Sequence, residues 1–183
     1  DDIPNYLNTE GVEILLVRSA TTARAALIDA CPNLKLIGRG GVGMDNIDVS
    51  YAREKGITVI NTPASSSQSV AELVMGHLFA ISRFLHDSFK HMENGDFSTL
   101  KKNYGKGVEL RGKTIGILGF GRIGQSLASY ALGAGMNVVP ITHTEKEYEI
   151  PVLIGNGTQV TVKLQSATMC NETLGLLDYL SIH

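Results

Sequence analysis

Short apolar runs alternate with helical segments along the first 60 residues. Three runs have the length and composition of buried strands: Ile14–Val17, Leu34–Ile37 and Ile57–Ile60. Between them, Arg24–Ala30 and Asp48–Lys55 have helical patterns, and Gly56 predicts a left-handed cap that ends the second helix. Because connections are short and crossovers are right-handed, this β-α-β-α-β order predicts a parallel sheet flanked by helices.

A long helix follows the polar loop Asn61–Ser67. The segment Ser69-Val70-Ala71-Glu72 has the form of a capping box, which predicts that the helix starts at Ser69. Apolar residues then recur at helical spacing and predict one buried face: Val70, Leu73, Val74, Leu78, Ile81 and Leu85. We place the domain crossing in the polar loop, with residues 1–66 in one domain and 67–183 in another.

A glycine-rich turn carries the strongest chemical signal. The strand predicted over Lys113–Leu118 runs directly into Gly119-Phe120-Gly121-Arg122-Ile123-Gly124, and a helix is predicted over Ile123–Leu132. In this setting Gly119 permits the tight turn, Gly121 lets a pyrophosphate approach, and Gly124 lets the helix pack closely. The amides of Arg122 and Ile123 then face the phosphates. The turn predicts a nicotinamide dinucleotide site; the alternative is a turn that serves packing alone.

The next strand begins at Asn137-Val138-Val139. The residues at its end bear on whether the cofactor is NAD or NADP. An acidic residue about 20 positions after the glycines would bind the ribose diol of NAD. The segment Pro140–Thr144 has none, and Thr142 stands where the acid is expected. Thr142 and His143 are therefore candidate cofactor residues. We expect NAD, and NADP stays open because Thr142, His143, Thr144 and Lys146 can all donate to a 2′-phosphate.

From Ile150 onward the chain departs from the parallel pattern. Residues Ile150–Leu164 alternate around Gly155-Asn156-Gly157, which predicts an antiparallel hairpin inserted into the second domain. A helical piece near Glu172–Leu177 and a strand over Tyr179–Ile182 follow. A complete dinucleotide fold needs a second half. We therefore expect both domains to be incomplete and the chain to be a piece of a longer protein.

The composition limits the classes of binding partner that we expect. There are 16 Lys and Arg against 18 Asp and Glu, so nothing attracts a polyanion globally, and we expect no nucleic acid partner. The cations Lys101, Lys102 and Lys106 fit a solvated loop better than a site. Two cysteines without metal-ligand spacing predict no metal site and fit a reducing compartment. No apolar run reaches the length of a membrane span, so we expect a cytoplasmic protein.

Several ordered motifs together resemble the D-2-hydroxyacid dehydrogenase family. They are Gly38–Asp48, Asn61-Thr62-Pro63, Ser69–Leu73, Leu110–Thr114 and the glycine turn. The resemblance covers about residues 13 to 141 and resumes near Asp178. Within the family, Val17–Thr21 is most similar to members that oxidise 3-phosphoglycerate to 3-phosphohydroxypyruvate, the first step of phosphorylated L-serine biosynthesis.

The resemblance implies two Rossmann-like or flavodoxin-like α/β domains with parallel sheets, an NAD-dependent oxidoreductase and a small anionic 2-hydroxy acid as substrate. It implies a substrate-binding set of Arg18, Ser19, Arg39, Gly40, Gly41, Val42 and Ser66. In that set Gly40, Gly41 and Val42 offer amides to the carboxylate, and Val42 also approaches the nicotinamide. The family's catalytic residues correspond to positions beyond His183, so the catalytic residues are unknown and we expect this piece alone to be inactive.

The family usually dimerises through its nucleotide domain, and the long helix after Ser69 offers a suitable surface, so we expect a homodimer. Two alternatives stay open. One is a dehydrogenase for another small 2-hydroxy acid, such as glycerate, glyoxylate or hydroxypyruvate. The other is a corepressor-like protein on the same fold that senses dinucleotide, binds partner peptides and hardly turns over.

Overall fold

A computed structural model describes residues 2–93 and 95–183. The chain divides into two compact units, residues 1–66 and 67–183, and each is an α/β unit with a parallel sheet. The first unit contains, in order, α1 (Ile3–Thr9), β1 (Ile14–Val17), α2 (Ala25–Ala30), β2 (Leu36–Arg39), α3 (Val49–Glu54) and β3 (Thr58–Asn61). This confirms the predicted β-α-β-α-β order.

The sheet of the first unit has the order β1-β2-β3 and is parallel throughout, with Val17 beside Arg39 and Arg39 beside Asn61. The three strands therefore end together at one edge. Gly56 has φ +80°, which confirms the left-handed cap after α3. Strand β2 starts two residues later than predicted, because the amide of Leu34 donates to the carbonyl of Cys31 in the turn after α2.

The second unit is built on a parallel sheet of order β5-β4-β8. Its elements are α4 (Ser67–Ser82), α5 (Leu85–His91), α6 (Phe97–Tyr104), β4 (Thr114–Leu118), α7 (Arg122–Gly133), β5 (Asn137–Ile141), β6 (Glu147–Gly155), β7 (Thr158–Gln165), α8 (Asn171–Gly175) and β8 (Tyr179–Ile182). Ile115, Ile117 and Leu127 are fully buried in its core, where α7 packs on the sheet. Within the described ranges, no helix has the length and apolar character needed to cross a membrane.

Helix α4 differs from its prediction in three ways. It starts at Ser67, so Ser69 lies inside the helix and the capping-box interpretation is wrong. Glu72 instead accepts a hydrogen bond from the hydroxyl of Tyr130 on α7, at 3.0 Å. The helix also ends at Ser82, and Phe84, with φ +55°, separates it from α5.

The predicted buried face of α4 is confirmed in part. Leu78 is buried and Val70 and Val74 are half-buried, whereas Leu73, Ile81 and Leu85 are exposed. The other buried residues of the helix are Ser67, Ala71, Met75 and Ser82. Ala71, Met75 and Leu78 join the core cluster that α7 supplies with Leu127, Ala128 and Ala131. Small side chains on both helices suit this packing, because they let two helix backbones approach closely.

The predicted hairpin is confirmed as β6 and β7, which pair antiparallel from Glu147 and Gln165 to the turn. Asn156 and Gly157 have φ of +50° and +75°, as a tight hairpin turn of this kind requires. After β7, Ala167 pairs in parallel with Ile141 at the end of β5. The hairpin is therefore the connection between β5 and the segment that continues the sheet beside it.

Candidate functional site

The glycine turn connects β4 to α7 at the carboxyl edge of the second sheet. Gly119 has φ +88°, and a side chain there would also collide with the backbone carbonyl of His183. A Cβ at Gly124 would lie 2.6 Å from the carbonyl oxygen of Gly119, so the helix can approach the turn only without one. At Gly121, the N-cap of α7, an added Cβ would meet no atom within 4 Å. The turn is thus closed at two glycines and open at the third.

Gly119 and Phe120 of this turn line a cleft of about 700 Å³. The cleft lies at the ends of β4, β5 and β8, where open parallel sheets bind their ligands. Thr142 and His143 line it, as do Thr168 and Met169 from the segment after β7. No sequence pattern pointed to Thr168 and Met169, because only the hairpin connection brings them beside β5.

His183 also lines this cleft, at the end of β8. Its amide donates to the carbonyl of Leu118 at 2.9 Å, and its Nε2 lies 3.0 Å from the hydroxyl of Ser181. Burial lowers the pKa of the His183 imidazole below its ordinary value. The neutral ring is therefore favoured next to the glycine turn, where it can either donate or accept a hydrogen bond.

The hydroxyl of Thr142 is engaged within the protein. Its oxygen lies 2.8 Å from the carbonyl oxygen of Thr144 and 2.9 Å from the hydroxyl of Ser166. Thr142 has a single hydroxyl proton and donates it to one of these two oxygens, so the proton stays within the protein. Ser166 in turn accepts the amide of Lys146 at 2.9 Å. The network holds the loop after β5 in one shape.

Lys146 does not line the cleft. Its Nζ lies 4.6 Å from the ring centroid of Tyr148, which is a cation–π distance. Of the four residues expected to face the ribose, Thr142 and His143 line the cleft, and the hydroxyl proton of Thr142 is already committed. His143 is therefore the remaining candidate side chain for contact with the adenosine ribose or its 2′-phosphate.

A second cleft, of about 310 Å³, lies in the first unit at the carboxyl ends of its strands. Arg18 and Arg39, the two predicted substrate arginines, are both among its lining residues, as are Gly40 and Thr62. The side chain of Arg39 is 13% exposed and its Nη1 lies 3.2 Å from Asp45 Oδ1. Its Nε is buried and has no hydrogen-bond partner among the described residues. A buried donor beside an open cavity suits an oxyanion ligand.

The amides of Gly40 and Gly41, which were expected to bind the substrate carboxylate, donate within the protein in this structure. The amide of Gly40 donates to the carbonyl of Val17 at 2.9 Å, and that of Gly41 donates to the hydroxyl of Thr62 at 2.9 Å. The amide of Thr62 returns a bond to the carbonyl of Gly41 at 3.1 Å. Both glycine amides are used because the loop after β2 is hydrogen-bonded to its neighbouring strand ends.

The remaining predicted substrate residues lie outside the lining of this cavity. Ser19 follows Arg18 and is exposed, and Val42 is exposed on the loop after β2. The carbonyl of Val42 accepts a hydrogen bond from the side-chain amide of Asn61 at 2.6 Å. Ser66 is half-buried at the end of the first unit. No cluster of three metal-ligating side chains is present in residues 2–93 and 95–183.

Comparison with known proteins identifies the family of this chain. Residues 5–174 match the model of the D-isomer specific 2-hydroxyacid dehydrogenase, catalytic domain. The chain is 46% identical to the hydroxypyruvate reductase of Thermotoga maritima over 141 residues, which cover 77% of this chain and 45% of that protein. It is 46% identical to the D-3-phosphoglycerate dehydrogenase of Methanocaldococcus jannaschii over 127 residues, which cover 69% of this chain and 24% of that protein.

A solved structure agrees with these relatives. The D-lactate dehydrogenase of Aquifex aeolicus, complexed with NAD and lactic acid, matches 98% of this chain and 50% of its own length at 27% identity and a TM-score of 0.68. The chain thus spans half or less of the length of each of these three proteins. The family model nevertheless covers most of the chain, and the parallel sheets agree with it. The chain therefore belongs to the D-isomer specific 2-hydroxyacid dehydrogenase family.

Proposed function

We propose that the full-length protein is a nicotinamide-dinucleotide-dependent 2-hydroxyacid dehydrogenase. The observation that carries the proposal is the contrast within the glycine turn, where Gly119 and Gly124 are tightly packed and Gly121 is open. In that arrangement Gly121 gives the pyrophosphate access to the backbone, and the amides of Arg122 and Ile123 receive it at the N-terminus of α7. When bound, the nicotinamide supplies the acceptor for the hydride that leaves the substrate.

We propose NAD as the cofactor, with NADP also accepted. Neither the carboxylate that holds the ribose diol of NAD nor an arginine for a 2′-phosphate lines the cleft at the end of β5. His143 is the cofactor-binding side chain at that end, and Thr142 acts by holding the loop. The NAD in the solved complex of the Aquifex aeolicus relative supports this choice.

Calorimetric titration of the full-length protein with NADH and NADPH tests the proposal. We expect binding, and we expect Gly121→Ala to weaken it about tenfold or more, since the added methyl group occupies the pyrophosphate path. The matched control is Gly76→Ala in α4, where an added Cβ also meets no atom within 4 Å. That variant should bind normally. No heat of binding with either dinucleotide would refute the proposal.

We propose 3-phosphoglycerate as the substrate, oxidised to 3-phosphohydroxypyruvate as the first step of L-serine biosynthesis. Arg18 and Arg39 both line one cleft, and two guanidinium groups would suit a substrate with two anionic groups. Ser19, Val42 and Ser66 complete the proposed set, together with the loop of Gly40 and Gly41. The reaction also needs a group to take the hydroxyl proton, which we assign to residues of the longer protein beyond His183.

The second candidate substrate is hydroxypyruvate or a similar small 2-hydroxy or 2-keto acid, which the Thermotoga maritima relative supports. Charge reversal in Arg18→Glu separates the two candidates. We expect kcat/KM to fall far more for phosphoglycerate than for glyoxylate, because only the first carries a second anionic group. Equal losses for both substrates would exclude the phosphoglycerate assignment.

We further propose that the protein is a cytoplasmic homodimer. Cys31 and Cys170 are free thiols, which fits a reducing compartment.

A corepressor-like role is distinguished by turnover: such a protein would bind dinucleotide and show little oxidation of any 2-hydroxy acid.

A further inference from the structure

Asn46 is a buried side chain that supports the loop carrying Arg18. It is 4% exposed, and its side-chain amide donates to two backbone carbonyls, that of Arg18 at 2.8 Å and that of Thr21 at 2.6 Å. These acceptors are the two ends of the segment 18–21, which includes Ser19. Because one amide group joins both ends, the shape of this segment depends on Asn46.

The turn that contains Asn46 also reaches the second arginine of the cleft. The carbonyl of Asn46 accepts the amide of Ala23 at 2.9 Å, which fixes the turn against the chain just after segment 18–21. Asp45, the preceding residue, pairs with Nη1 of Arg39 at 3.2 Å. Two adjacent residues thus contact Arg18 through its backbone and Arg39 through its side chain.

We propose that Asn46 is a positioning residue for substrate binding, which holds Arg18 and Ser19 where they engage the anionic groups of the substrate. Guanidinium groups bind oxyanions in a fork geometry, so their affinity depends on orientation. Exposed loops lose that orientation easily, and a buried side chain with two hydrogen bonds restricts them. The inference rests on the proposed function, from which it takes the identity of the substrate. The two arginines that line the cleft indicate that this substrate is an anion.

Oxalate, a small dianion, is the probe for a test in the full-length protein. We expect Asn46→Ala to raise both the Kd for oxalate and the KM for the phosphoglycerate substrate by about tenfold or more, because displaced site groups bind poorly. The Kd for NADH should stay within about twofold, since the glycine turn is a separate site. If Asn46→Ala does not fold, Asn46→Ser, which keeps a single donor, should show the same pattern more weakly.

Asn8→Ala is the matched control. Asn8 also lies in the first unit and donates its side-chain amide to a backbone carbonyl, that of Ala30, at 2.7 Å. It does not line the cleft, so its loss should lower the melting temperature without changing the Kd for oxalate. If Asn46→Ala behaves like Asn8→Ala, the positioning role is refuted.

The remaining outcomes separate this inference from the proposed function. Oxalate binding by the wild type that is lost in Asn46→Ala, without turnover of any 2-hydroxy acid, would keep the positioning role and refute the dehydrogenase. If the wild type turns over a 2-hydroxy acid and Asn46→Ala leaves the oxalate affinity and the substrate KM unchanged, the dehydrogenase would stand and the positioning role would be refuted. A wild type that does not bind oxalate overturns the positioning role.

Discussion

The three glycines of the turn after β4 have different physical requirements. Gly119 needs its positive φ and Gly124 needs its missing Cβ, whereas Gly121 needs neither for the fold. The spacing of the glycines predicted these roles, because each role belongs to a fixed place between a strand and a helix. At this scale stability and binding can therefore be tested at different residues of the same motif.

Gly124→Ala should destabilise the second unit by about 1–3 kcal/mol, the usual cost of overpacking. The new methyl group would lie 2.6 Å from the carbonyl oxygen of Gly119 and 3.1 Å from Cγ2 of Ile117, so backbone must move. Urea denaturation measures the change. Gly76→Ala should instead be neutral or stabilising, since alanine favours a helix interior over glycine by about 0.5–1 kcal/mol. Equal stability of both variants would contradict the packing argument.

At the residue scale the sequence did not predict the hydrogen-bond partners of several candidate site residues. Thr142 was expected at the ribose, and its hydroxyl donates to the oxygens of Thr144 or Ser166. Gly40 and Gly41 were expected to offer free amides, yet both donate to neighbouring backbone or side-chain oxygens. Residue type shows which groups can donate hydrogen bonds. The nearest acceptor depends on how neighbouring strand ends come together, and periodicity contains no such information.

At the scale of elements, the strands, the hairpin and the existence of the long helix were predictable, but the bounds of that helix and its full buried face were not. The turn Gly155-Asn156-Gly157 determines a local geometry, so the hairpin could be derived from a few residues. For α4, the choice of buried face depends on α7, which lies about 50 residues further along the chain. A pattern in one helix cannot show that its partner presents Ala128 and Ala131. Leu73, Ile81 and Leu85 were therefore assigned to the core incorrectly, whereas Leu78 was assigned correctly.

Strand β8 is connected to β4 through a carboxylate whose titration should be visible. Asp178 accepts the amide of Thr114 at 2.8 Å and the ammonium group of Lys113 at 3.0 Å. The amide of Thr114 first, and Lys113 second, hold the pKa of Asp178 below its ordinary value of 3.8. The unfolded chain then takes up this proton more readily than the folded protein. The stabilisation is complete above the ordinary pKa and is lost as the pH falls through the lowered one.

Asp178→Asn tests this pH dependence. Its melting temperature should lie below that of the wild type at pH 5 to 7, because the amide keeps an acceptor for Thr114 and loses the charge. The difference should begin to shrink as the pH drops toward the ordinary pKa of 3.8, where the unfolded chain takes up the proton, and should be smallest below the lowered pKa, where the folded wild-type carboxyl group is neutral as well. Melting curves of both proteins across this range provide the measurement. A difference that is constant down to the lowest pH would contradict the assignment.

At the scale of the whole molecule, the order of the sequence motifs predicted the two α/β units and the family. The motifs did not predict which surface meets another protein chain. Helices α4 and α5 expose Leu73, Ile81, Leu85 and Phe89, and Phe89 is 85% exposed. Exposed apolar side chains on neighbouring helices are typical of surfaces that a partner covers. The composition gives no hint of such a surface, because 43% hydrophobic residues is ordinary for a globular protein.

The proposed homodimer makes this surface testable. If α4 and α5 meet the same elements of a second copy, Phe89→Glu places two carboxylates in an apolar interface, where they lose water without gaining a partner. We expect the full-length wild type to be a dimer in light scattering, and Phe89→Glu to shift toward the monomer. Leu153→Glu is the control, since Leu153 is 68% exposed in the same unit but on the hairpin. That variant should remain dimeric. A dimer that survives Phe89→Glu and dissociates with Leu153→Glu would move the interface from the helices to the hairpin.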